Sequence, residues 1–135
     1  MKSKFLVVAA MAVMIVITSC EKSEGPGGTS TIRGKIIVRE YNKDFTILRD
    51  TYPGAGEDAF IIYGDDEVYG DKFEASYDGM YEFNYLRNGT YTIFAYSKDS
   101  TLNYDITSQE IPVFKTVEIT EKNQVVEVPD IIILK

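Results

Sequence analysis

The side chains of this chain that could do chemistry are few in kind: 21 Asp and Glu, no histidine, and one cysteine, Cys20. Without an imidazole, His-assisted Ser or Cys nucleophiles and His-bound zinc are excluded, and a single thiol cannot build a cysteine zinc site. The acids are densest over residues 64–71, where Asp65, Asp66, Glu67 and Asp71 offer hard oxygen ligands around Gly64 and Gly70. Calcium collects about six to eight such oxygens, but this loop lacks the alternating ligands and terminal Glu of an EF-hand. Two readings stay open, a weak calcium site or a solvated loop whose charges keep a sheet edge from pairing with other chains. Paired carboxylates can hydrolyse glycosides, yet no motif singles out a pair. The chain is expected not to be an enzyme, and to take no cofactor beyond that weak calcium.

Cys20 sits where a different chemistry is expected. Lys2 and Lys4 precede an uninterrupted apolar run over residues 5–17, and Thr18-Ser19 separates the run from the thiol. This is the charged, apolar and small-residue order of a secretory leader. Thirteen apolar residues fall short of the roughly 20 that span a bilayer. Here the chain resembles the bacterial lipoproteins. The resemblance implies that the leader, residues 1–19, is cut off, that the Cys20 sulfur carries a diacylglyceryl group, and that the protein is lipid-anchored in the outer membrane. Glu21 and Glu24 resemble, loosely, the export signal of surface-displayed lipoproteins, so a surface-exposed and a periplasmic-facing anchor both stay open.

Cutting at Cys20 removes two lysines and no acids, which takes the net charge from −7 to −9. Such a surface repels nucleic acid, and no nucleic-acid partner is expected. Residues 21–30, EKSEGPGGTS, hold no large apolar side chain. That composition reads as a flexible tether, giving a lipidated tether over 20–30 and a folded domain over 31–135.

Beyond Thr31 the apolar period is two. Ile32, Gly34, Ile36 and Val38 alternate with Arg33, Lys35 and Arg39, the pattern of a half-buried strand. Residues 45–48 read as a short strand or loop, 51–56 as turn chemistry, and 59–63 as a strand. Residues 72–77 and 81–85 alternate on either side of Asp78-Gly79, a pair suited to a type I′ turn, which predicts a hairpin. Tyr91, Ile93 and Ala95 then alternate with Thr92, Phe94 and Tyr96, so this strand is apolar on both faces and is expected to be central, buried on one side and covered by aromatics on the other. Strands are also expected at 109–114, 117–120 and 125–134, with Pro112 and Pro129 at edges, ends or bulges. No window has helical periodicity. About seven short strands predict one all-β, Ig-like antiparallel β-sandwich.

The run from Ser76 to Tyr91 resembles the carboxypeptidase regulatory-like, or transthyretin-like, domains: Asp78-Gly79, aromatic-x-aromatic at Tyr81 and Phe83, then Leu86-x-x-Gly89-x-Tyr91. The resemblance implies that Gly89 takes a turn conformation other residues resist, and that Tyr91 buries its ring while its hydroxyl reaches back to nearby backbone as a tyrosine corner. It implies an accessory or recognition module rather than a catalyst. The ten tyrosines exceed what one small core needs, and exposed ones can stack on sugar rings or anchor a protein. The expected function is a membrane-anchored binding or assembly module for an envelope protein complex or a glycan, with a structural spacer as the alternative and a lipid-anchored glycan-processing enzyme as a distant third.

Overall fold

The computed structural model describes residues 23–101 and 109–135. The leader and Cys20 lie outside the described residues. What is described is all-β: nine strands in two sheets, with no helix.

The spine is β1 (Pro26–Tyr41), whose sixteen residues run the length of the first sheet. Its alternation sends Ile32, Ile36 and Val38 into the core and leaves Arg33 and Arg39 exposed. The early part of β1 pairs antiparallel with β5 (Met80–Leu86) and parallel with β8 (Val125–Glu127). Its later part pairs antiparallel with β2 (Leu48–Pro53) and parallel with β9 (Ile131–Leu134). The second sheet has the order β4 (Asp71–Glu74), β3 (Asp58–Tyr63), β6 (Gly89–Lys98), β7 (Glu110–Ile119). Ile61, Ile93, Ile119, Ile131 and Ile133 join the β1 side chains between the sheets, all essentially inaccessible to solvent.

Several expectations are corrected. The sandwich is mixed rather than purely antiparallel, and it has nine strands rather than about seven. Part of the excess arises at Pro129, which cannot donate to a ladder and splits 125–134 into β8 and β9. The two lie in line along β1, joined through the bond from the Val128 amide to the Arg33 carbonyl at 2.8 Å. The two segments expected at 109–114 and 117–120 are instead joined in the single strand β7, Glu110–Ile119, and Pro112 is tolerated because β7 is the last strand of its sheet. Thr51 to Pro53 belong to β2, not to a turn.

The hairpin over 72–85 does not form. Strand β4 pairs with β3 and β5 pairs with β1, so the segment crosses from one sheet to the other. Its turn also differs from type I′. Gly79 has φ +76° and Asp78 has none of the positive φ that type I′ requires, while the Gly79 amide donates to the Ser76 carbonyl at 2.8 Å. The Gly79 carbonyl then accepts from the Ile36 amide at 2.9 Å, which hands the chain to the first sheet. Alternation states which side chains are buried and leaves the partner strand undetermined. Tyr85 is likewise turned outward: it has φ +58°, three-quarters of its surface is exposed, and the β1–β5 register shifts beside it.

Tyr81 is buried across Gly34, whose missing Cβ would sit 2.4 Å from the tyrosine hydroxyl. Among the described residues that hydroxyl has no hydrogen-bond partner. Burying an unpaired polar group costs about 1–3 kcal/mol, so Tyr81→Phe should leave the urea midpoint unchanged or raise it. Burial, helped by Asp130, pushes the Tyr81 pKa well above its ordinary value. A folded-state pKa above the unfolded one near 10 means that this contribution to stability is complete below about pH 10 and is lost as pH rises further. Alkaline unfolding should therefore begin later in Tyr81→Phe; an earlier onset would show that the hydroxyl has a stabilising partner.

Candidate functional site

The outer face of the second sheet is built from aromatics. Register places Phe60 of β3, Phe94 of β6 and Phe114 of β7 opposite one another across three strands. Phe60 and Phe94 stack, with centroids 4.9 Å apart and planes 12° from parallel, and Phe114 stands 5.5 Å from Phe94. Tyr96 meets both Phe60 and Phe94 edge-on at 5.5 Å. From the loop over 64–70, Tyr69 meets Phe60 edge-on at 4.8 Å. Such contacts contribute about 0.5–1.5 kcal/mol each beyond area burial, so the face is assembled before anything binds.

The rings divide into floor and walls. Phe60 and Phe94 are 9% and 6% exposed, whereas Tyr69, Tyr96 and Phe114 are 50%, 43% and 55% exposed. Between the walls lies a cleft of about 290 Å³, lined by Ile62, Glu67, Val68, Tyr69, Phe94, Tyr96, Pro112 and Phe114. Tyr96 also lines a neighbouring recess of about 330 Å³, which carries Glu57, Asp58, Lys98, Glu110 and Lys135. Lys135 forms an ion pair with Glu57 there. One tyrosine thus separates an apolar cleft from a polar recess, and a ligand bridging the two would need an apolar face and hydrogen-bonding groups in one molecule.

Of the residues singled out in the sequence, Glu67 lines the apolar cleft and the others fall elsewhere. Tyr91 is fully buried at one pole of the sandwich. Its hydroxyl donates to the Arg87 carbonyl at 2.7 Å and accepts from the Gly25 amide at 2.9 Å. Burial raises its pKa, and the bond from Gly25 partly offsets that. Leu86 is buried at the end of β5, and Gly89 takes φ +141° at the start of β6, where a Cβ would lie 2.2 Å from Glu24 Cγ. These contacts correct the tether. Over residues 23–30 the chain is part of the fold: Pro26 opens β1, Ser30 is buried, the Ser23 carbonyl accepts from Arg87 Nε at 2.6 Å, and the Glu24 carboxylate accepts from the Thr90 amide at 3.3 Å.

The acidic residues do not converge. Among the described residues no group of three or more His, Cys, Asp or Glu is placed to hold a metal ion. Asp65 and Asp66 are in or beside the solvent-exposed turn after β3, and Glu67 lines the aromatic cleft. Asp71 opens β4, with its carboxylate accepting from the Lys72 amide at 2.7 Å. Asp78 is exposed in the crossover turn.

The cleft residues Tyr69, Phe94, Tyr96, Pro112 and Phe114 were not singled out as a group by the sequence. Its one trace there is the doubly apolar pattern of β6, because their meeting depends on the β3–β6–β7 register and on the fold of the 64–70 loop.

No family model matches this chain, and no curated protein matches it. Among solved structures, the crystal structure of "a putative carbohydrate binding protein" from Pseudomonas aeruginosa is similar over 82% of this chain and 91% of that one, with 14% identity and a TM-score of 0.49. At that identity the ligand has to be read from this chain's own side chains.

Proposed function

We propose that this chain is a non-catalytic, lipid-anchored module of the outer membrane that binds an uncharged glycan on the outer face of its second sheet. The observation that supports it best is Tyr96, shared between the aromatic cleft and the polar recess. A sugar ring offers both surfaces such a site needs: C–H groups that lie against aromatic rings, and hydroxyls that bond to carboxylates and ammonium groups. Glu57, Asp58, Glu67 and Glu110 around the site, on a domain of negative net charge, disfavour uronic-acid, sulfated or phosphorylated chains. Recognition rather than turnover fits a chain without histidine whose single thiol is committed to lipid.

Phe114→Ala should weaken binding to an uncharged polysaccharide at least tenfold, about 1.4 kcal/mol. Its ring is more than half exposed, so the loss of stability should be limited to about 0.5–1.5 kcal/mol, the size of its contact with Phe94. Affinity electrophoresis in gels cast with neutral or acidic polysaccharides measures the first effect. Equal retardation of wild type and variant in every gel would remove the cleft from the account.

A second reading has its own support. Strand β7 pairs only with β6 among the described residues, and such an edge can take an added strand from a protein partner. Amide-exchange protection along β7 on adding envelope extract, with no response to glycan, would favour it.

A further inference from the structure

We propose that Ser23–Gly25 form a fixed mount for the anchor, so that the Tyr91 pole of the sandwich faces the bilayer and the aromatic cleft is held side-on above it. This rests on the lipid-anchor reading of Cys20. The mount is made by backbone and side-chain bonds from several elements. Arg87 Nε donates to the Ser23 carbonyl, the Glu24 carboxylate accepts from Thr90, and the Gly25 amide and carbonyl bond to the Tyr91 hydroxyl and to the Arg87 amide at 2.9 Å each. Gly25 is buried with φ +136°, a conformation open to glycine and resisted by other residues.

Only Glu21 and Lys22 lie between Cys20 and Ser23. Three Cα–Cα steps reach about 11 Å at most, so the Tyr91 pole stays within roughly that distance of the lipid-bearing residue. A freely jointed tether over residues 20–30 would have allowed any face of the domain to meet the membrane. Charge is not what sets the orientation, because this pole carries Arg87 and Lys122 but also Glu24, Glu118 and Glu121. Covalent length sets it. The cleft residues Phe94 and Tyr96 lie five and seven positions beyond Gly89 on β6, about 17–24 Å along the strand. That clears the headgroups and leaves the cleft open sideways to a long chain. The turn over 42–47 lies at the other end of β1 from the mount.

The test uses the full lipidated chain in phosphatidylethanolamine–phosphatidylglycerol vesicles containing a headgroup-labelled acceptor lipid. With Cys20 lipidated, a thiol introduced by Lys122→Cys or by Asp44→Cys is the only one free to carry a donor dye. Energy transfer should be strong from position 122 and at least several-fold weaker from position 44. Inserting a ten-residue Gly-Ser segment between Lys22 and Ser23 should shrink that difference to less than half. Vesicle-bound protein with equal transfer from both positions would overturn the mount while leaving the anchor standing. Protein that does not float with vesicles, or a Cys20→Ala variant that floats as well as wild type, would overturn the anchor reading and the mount with it.

Discussion

Replacing Tyr91 with alanine should cost about 3–5 kcal/mol of stability, the range of other buried aromatic truncations. The ring has no accessible surface and meets Tyr63 edge-on at 6.0 Å. Its hydroxyl bonds to both Arg87 and Gly25, so truncation leaves a cavity and also unpairs the Gly25 amide. The milder Tyr91→Phe keeps the ring and should still lose about 1–3 kcal/mol, because buried backbone groups are left without their partner. The two tyrosine-to-phenylalanine changes thus carry opposite signs, since among the described residues the Tyr81 hydroxyl has no partner to lose. Urea melts of residues 23–135 provide the measurement. Starting at residue 31 would remove Gly25 and reproduce part of the Tyr91 defect in the wild type. A wild-type midpoint for Tyr91→Ala would show that the corner is not a stabilising element.

The second large effect is expected at Gly89. Its φ of +141° is one that a β-branched residue resists, and a Cβ there would come within 2.7 Å of the Glu24 carboxylate carbon as well as 2.2 Å from Glu24 Cγ. Backbone strain of about 1–3 kcal/mol adds to overpacking of similar size, so Gly89→Val should lose about 2–6 kcal/mol. Glu24 can move only by giving up its bond to the Thr90 amide. Gly89→Val combined with Glu24→Ala should recover part of the loss, because the clash is with that side chain while the strain remains. Full recovery in the double variant would assign the whole effect to Glu24 and none to the backbone.

These two sites show what was legible from residues alone. Burial at Ile32, Ile36 and Val38 follows from period two, and the doubly covered β6 follows from Tyr91, Ile93 and Ala95 alternating with Phe94 and Tyr96. Partnership between strands was not legible. The stretch from Lys72 to Tyr85 alternates as a hairpin would, yet Gly79 sends β5 to the other sheet through the Ile36 amide. Direction was hidden as well, since the side-chain pattern of 125–134 is the same whether the strand runs parallel or antiparallel to β1. Residues 23–30 were misleading for a different reason. Their composition lacks apolar bulk, and they are held by backbone bonds, the Glu24 carboxylate and the Thr29 and Ser30 hydroxyls, which hydropathy does not register. The cleft escaped because Tyr69 and Phe114 lie on non-adjacent elements that only the β3–β6–β7 register brings to one face.

Binding of the ligand on the outer aromatic face is read most directly by ring signals. Tyr77 and Tyr85 are 89% and 75% exposed away from the cleft, so they serve as internal controls for Tyr69, Tyr96 and Phe114. Titrating an uncharged polysaccharide into aromatic-labelled protein should shift the ring resonances of Tyr69, Tyr96 and Phe114 together, along one saturating curve, and leave Tyr77 and Tyr85 in place. Shifts confined to Tyr77 or Tyr85, or rings that stay unmoved while binding is detected by another method, would contradict the account.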